Sequence, residues 1–418
     1  LIMRVIRQGR VNATLFPASG SEDVNPDTHL VLTFSETPVL GDSGMIRVYD
    51  AVTDQVVDSL DLSIPPGPTE SRTYGPECDY TKVPYDYTRT VMPTNKDTRP
   101  GTPSGTAEPT PPVYQLTIIG GFTDAFHFYP VIVRDSIATI YLHNNMLEYG
   151  HTYYVTIDNG VLNLADGSFQ GVTKEDEWVF TTKSDMPELS DTLIVDVAGK
   201  GDFNTVQGAL DFIPDFNEQQ TVILVNPGDY EELVYTRNKW HVKIKGAGMA
   251  DTKVHYANNE VFNPHPLTVK TNEWPGTFPS RRAAFMLDNC KDIVIEDMTI
   301  ATDLKGQAEG LLINGERIAL YRVHIIGSGD ALQANGTIYM ESCELDGGGD
   351  TILGRGSLFA YKSNFRNGGG PFSWVRNTAG NMVMCLLNAL FLRRMVNRRI
   401  TDVLKVTTVR PILMQSLS

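Results

Sequence analysis

Two short stretches each set one carboxylate among glycines and then run into an apolar strand: GSGDALQA around Asp330 and GGGDTILG around Asp350. Glycine backbone lets a ligand approach closely. Asp330 lies five residues beyond Ile325 and Asp350 five beyond Leu345, so the two acids hold the same place in consecutive segments. Parallel strands stacked in register lie about 4.8 Å apart. At that separation two carboxylates cannot both ionise cheaply, so one keeps its proton to higher pH while the other is anionic. Such a pair supplies a general acid together with a nucleophile or base. The competing reading of each Asp-Gly cluster is ordinary turn chemistry.

Repeated strands must position these acids. The segments TVILVNP, VKIKGAG, AAFMLDN, DIVIEDMTI, RIALYRVHI, TIYMESCEL and SLFAYKSNF follow one another with no helical pattern between them. The last apolar residues of the final four, Ile300, Ile325, Leu345 and Phe365, are spaced by 25, 20 and 20 residues, the period of one solenoid coil. A right-handed parallel β-helix accounts for many short strands that pair without hairpins, each coil burying its apolar positions against the next. One helix is expected ahead of them, from Thr205, Val206, Ala209, Leu210 and Ile213, with Asn204 as N-cap and Pro214 closing it.

From about Ala13 to Lys183 the pattern differs. HLVLTFSE, MIRVYDAV, ATIYLHN, TYYVTIDNG and EWVFTTK are short alternating strands at sandwich spacing. Between Ile64 and Pro112 the chain is rich in Pro, Thr, Gly and Tyr and reads as a partly mobile excursion. Tyr74, Tyr80, Tyr85 and Tyr87 make a carbohydrate-binding lid the sharper alternative to a solvated loop. The stretch SDMPELSD links the two regimes.

Composition bounds the function. The chain has 418 residues, enough for two domains, and 35 Lys plus Arg against 50 Asp plus Glu, which would repel nucleic acid. A local cationic groove can still admit an anionic polymer. Cys78, Cys290, Cys343 and Cys385 are scattered singly, as buried free thiols would be, without zinc or disulfide-scaffold spacing. The eight His show no metal-ligand spacing, and GAGMAD lacks the ending of a phosphate loop. No apolar run approaches the roughly 18 residues of a membrane span. The opening LIMRVIRQGR is too short for a complete signal peptide.

Several segments carry a family resemblance. GQAEGLLING from Gly306, RIALYRVHIIGSGDAL to Leu332 and GGGDTILGRGSLF to Phe359 resemble the successive signature segments of pectin methylesterases. Upstream, VDVAGKGDFNTVQGALDFIP, ILVNPGDYEELV and IKGAGMADTKV resemble the entry segments of that family, so the likeness runs from about Val195 to Met384. PASGSEDVNPDTHLVLTFSE and EWVFTT similarly resemble the opening and closing strands of bacterial Ig-like domains. The resemblance implies a right-handed β-helix hydrolase that removes methyl esters from polygalacturonate through an aspartyl intermediate, with no cofactor. It implies Asp350 as nucleophile, Asp330 as acid and then base, and Gln307 as hydrogen-bond donor to the tetrahedral oxyanion. Arg355, Trp374 and Arg376 are the candidate substrate contacts.

Two departures stand against it. Gly329 replaces a glutamine of the family's second motif, and the family's later segment with an Arg and a Trp has no counterpart here. From Asn381 to Ser418 there is no glycine, six basic residues and one acid, and the coil spacing fails. The preferred reading is that the family's native sequence stops at about Met384, as after a reading-frame change. A basic amphipathic helix presenting Leu387, Phe391, Met395, Ile400 and Leu404 is the alternative.

The expected organisation is an extension at 1–12, an Ig-like sandwich at 13–183 with its insertion at 64–112, and a linker at 184–191. An incomplete pectinesterase-like β-helix at 192–384 and an atypical basic tail at 385–418 follow. The expected partner is pectin or a related anionic polysaccharide, for a secreted, periplasmic or cell-surface bacterial protein, monomeric and without a transmembrane segment. Two rival functions stand beside esterase: a glycosidase or lyase on the same polymer, and a non-catalytic carbohydrate-binding module whose site has decayed.

Overall fold

The computed structural model describes residues 11–67, 114–122, 126–263, 281–354, 356–375, 384–394, 400–406 and 410–412. Most of the 64–112 excursion, with its four tyrosines, lies outside them, as do Cys78, Arg355 and Arg376.

The first part is a β-sandwich. One sheet orders Thr14–Phe16, Leu30–Thr33, Ile137–Ile140 and Val131–Arg134; the other orders Ser21–Val24, Val179–Thr182, Thr152–Ile157, Met45–Asp50 and Val56–Asp61. Alternation supplies the shared core. In Met45–Asp50 every second side chain is buried, and Ile46 and Val48 meet Leu32, Leu60, Val155 and Phe180 between the sheets. Trp178 is fully buried and donates its indole N–H to the Pro17 carbonyl at 2.8 Å.

The second part is a parallel β-helix, and its register follows the apolar periodicity. Ile300 pairs with Ile325, Ile325 with Leu345, Leu345 with Phe365 and Phe365 with Phe391, an inward row with no exposed member. A second inward row runs Phe285, Leu311, Leu332 and Ile352. Five successive coils turn one corner with a residue in the left-handed region. Asp297, Arg322, Ser342, Lys362 and Asn388 all have φ between 50° and 59° and stack above one another. Arg322 Nε reaches back to Asp297 Oδ1 at 2.6 Å, so part of the corner column is tied by charge.

The expected helix forms as Val206–Phe212, but Thr205 rather than Asn204 is its N-cap. The Thr205 hydroxyl accepts from the Gly208 amide at 2.9 Å, whereas the Asn204 side chain is occupied across the molecule by Asn25 and Thr28. That occupation could not be read from local sequence.

The tail also departs from expectation. Among the described residues, which leave out Met395, no amphipathic helix forms; Met384–Leu387 and Ala389–Arg394 continue the parallel stack on Leu358–Tyr361 and Asn364–Asn367. The sequence spacing hid this because the turn before Phe391 is longer: Phe391 follows Phe365 by 26 residues. Only then does the pairing turn antiparallel, Ile400–Val406 on Ala389–Arg394 and Arg410–Ile412 on Met384–Leu387.

The sandwich packs against the β-helix along a mixed interface. Ile119, Phe122 and Phe126 bury against Tyr235, Ala283, Met286 and Leu312, and the Arg237 guanidinium lies 4.1 Å over the Phe122 ring. Asp27 accepts from the amides of Asn204 and Thr205 at 2.9 Å and from the Thr205 hydroxyl at 2.8 Å. Gly208 permits this approach, since a Cβ there would meet Asp27 Oδ2 at 2.3 Å.

Candidate active site

Register places the two acids together. Leu311 pairs with Leu332 and Leu332 with Ile352, so the residues two places earlier, Glu309, Asp330 and Asp350, share one position on three successive coils. Phe285 and Ser373 extend the same rows, and there the equivalent residues are Ala283 and Pro371. The acidic ladder therefore has three rungs. Asp330 and Asp350 were legible because both lie five residues beyond an inward apolar residue. Glu309 lies nine beyond Ile300, behind a turn four residues longer, and the fixed offset passes over it.

All three side chains are buried. The Asp350 amide donates to Asp330 Oδ1 at 3.2 Å. Arg282 donates through Nη2 to Asp330 Oδ2 at 3.0 Å and to Glu309 Oε1 at 2.6 Å, while its Nε bonds both Glu309 oxygens at 3.0 Å. Its Nη1 donates to Gln307 Oε1 at 2.6 Å. Burial pushes the Asp330 carboxyl up to about 7; the Glu309 charge pushes the same way, Arg282 pulls it down and Asp350 adds a further push. Burial opposes the charge on Arg282, but Glu309 and Asp330 outweigh it and hold the guanidinium firmly protonated. Arg282 and Glu309 were not found from sequence: RRAAFMLDN reads as the start of a strand, and nothing local marks one of its arginines.

Gln307 is exposed at the mouth of this cluster. With its oxygen held by Arg282, its amide NH2 is turned the other way as a donor. Gly329 has a steric reason to be glycine, because a Cβ there would meet Gln307 Cα and the Gly306 oxygen at 2.9 Å. A glutamine at 329 does not fit beside this backbone. Trp374 lies in the strand Ser373–Val375, paired with Leu353 one coil below. Arg355 and Arg376, proposed from sequence as substrate contacts, lie outside the described residues.

Sequence spacing pointed to no metal-ligating histidine. Folding nonetheless groups His255 with Glu231 and Asp303 closely enough to hold an ion. Arg134 from the sandwich already supplies a cation there, 2.5 Å from Glu231 and 3.7 Å from Asp303, and the group acts as an ion-paired latch between the two parts. Cys290 and Cys343 are buried free thiols, as expected, and burial raises the Cys343 thiol to about 11.

Fold and site together define a class, the parallel β-helix proteins that carry stacked carboxylates at a coil turn. The comparisons agree with the motif resemblance: residues 192–367 match the Pectinesterase family model. Pectinesterase QRT1 of Arabidopsis thaliana is 28% identical over 194 residues, which cover 44% of this chain and 50% of that protein. Pectinesterase 31 of the same plant is 28% identical over 161 residues, 37% of this chain and 50% of that protein. The chain thus spans about half the length of these curated relatives. Among solved structures, the pectin methylesterase from Aspergillus niger aligns over 51% of this chain and 70% of its own, with 18% identity and a TM-score of 0.42.

Proposed function

We propose that the protein is a pectin methylesterase-type carboxylic ester hydrolase acting on methyl-esterified polygalacturonate. The observation that carries this reading is the contact between Asp330 and Asp350 within the pectinesterase-matching segment, one of them holding its proton to about pH 7. In this reading the Asp350 carboxylate attacks the ester carbonyl and the amide of Gln307 donates to the oxyanion, a contribution of about 2.7–4 kcal/mol per donor. The tetrahedral carbon expels methoxide, which takes the Asp330 proton and leaves as methanol. Asp330, now ionised, removes a proton from water; the hydroxide attacks the mixed anhydride, releasing the uronate and restoring Asp350.

Methanol release from esterified pectin, without loss of chain length, tests this proposal against glycosidase or lyase action. Asp350→Asn should reduce the rate at least about a thousandfold while polymer binding persists. Retained binding with no methanol from the unsubstituted protein would instead support the non-catalytic module. The occupied space at Gly329 favours that second reading, since the glutamine expected by family motif is sterically excluded.

The same proposal extends to the setting. The sandwich is an Ig-like accessory domain, the site of action is outside the cytoplasm of a bacterium, and Trp374 contacts the sugar. Among the described residues no helix is long and apolar enough to cross a membrane.

A further inference from the structure

We propose that Arg282 and Glu309 act as a matched pair of positioning residues, Glu309 drawing the guanidinium away from Asp330 so that Asp330 keeps the proton it delivers. This rests on the esterase reading of the site and deepens it. The geometry is asymmetric. Glu309 takes three of the guanidinium contacts, at 2.6, 3.0 and 3.0 Å, whereas Asp330 takes one, at 3.0 Å. Glu309 has no exposed surface, and the Arg282 guanidinium is bonded to both of its carboxylate oxygens. The Glu260 carboxylate, 3.8 Å from Nη1, adds a second weaker claim on the same cation.

Asp330 thus faces Glu309 and Asp350 from the neighbouring coils and Arg282 from the strand entry, with Glu260 behind the arginine. A full, undivided Arg282 charge would strip its proton. Divided, the cation orients Asp330 without ionising it. The same guanidinium holds Gln307 Oε1 at 2.6 Å, so one side chain sets both the donor end of that amide and the direction of the Asp330 carboxyl.

The test is a pair of substitutions with opposite signatures. Glu309→Gln frees Arg282 for Asp330 and removes a like charge, so the pH at which Asp330 titrates should fall by about one pH unit or more. Arg282→Gln removes the cation and should raise it by a similar amount, while also lowering kcat through the released Gln307 amide. Arg282→Lys should recover the titration but not the kcat, because an ammonium cannot bridge three partners in the guanidinium plane. The titration is read directly by carboxyl 13C NMR of the whole chain, and in parallel from the pH dependence of kcat/KM for methanol release. Opposite-signed NMR shifts in folded variants support the pair. Shifts of one sign, or none, overturn it. Opposite NMR shifts in a protein that releases no methanol would uphold the pair and reject the esterase reading, so the two failures are distinguishable.

Discussion

Asp330 combines a buried carboxyl with three charged neighbours, and its proton affinity has a consequence for stability as well as chemistry. Its folded pKa is raised from 3.8 to about 7, mainly by burial, so between those values the folded chain binds a proton that the unfolded chain releases. For a raised acid the sign is fixed: stability is greatest below the unfolded value and falls as pH rises through the folded one, by at most about 1.4 kcal/mol per pH unit. Urea denaturation at a series of pH values should show this decline, and Asp330→Asn should flatten it. An unchanged slope in the variant would place the titrating group elsewhere. Under the esterase reading, the first half-reaction should slow as pH rises through about 7, because folded Asp330 then lacks a proton for methoxide.

At the scale of the element, each coil contributes a few inward residues whose partners are the same residues one coil away. Ile325 sits between Ile300 and Leu345, and all three are fully buried. Ile325→Ala should cost about 2–5 kcal/mol, measured by the denaturant midpoint, because the cavity is walled by two neighbouring coils and cannot collapse from one side. A loss under about 1 kcal/mol would mean that the stack repacks freely. The same residue fixes the offset that places Asp330, so this variant also tests whether coil packing holds the acids in register. The corners make a complementary point. Arg322, Ser342 and Lys362 adopt left-handed backbone without being glycine, and their column is invisible to any reading that takes glycine as the mark of a turn.

The whole molecule couples a sandwich to a β-helix through charge as much as apolar area. Asp27, 177 residues before Asn204, satisfies the amides ahead of the only helix among the described residues. Asp27→Ala leaves those buried donors unpaired and should cost about 1.5–3 kcal/mol, with near-ultraviolet circular dichroism and urea denaturation as the readouts. If the sandwich contributes nothing to the β-helix, the β-helix transition will not move. The apolar periodicity by itself determined the strands, the coil register from Ile300 to Phe365 and the shared place of Asp330 and Asp350, because in-register stacking converts equal spacing into contact. Only the tertiary structure decided the third carboxylate, the arginine that binds it, the parallel course of the tail's first two strands and the true helix cap. Each depends on a turn of unequal length or on a partner far away in the chain, and neither leaves a trace in local periodicity.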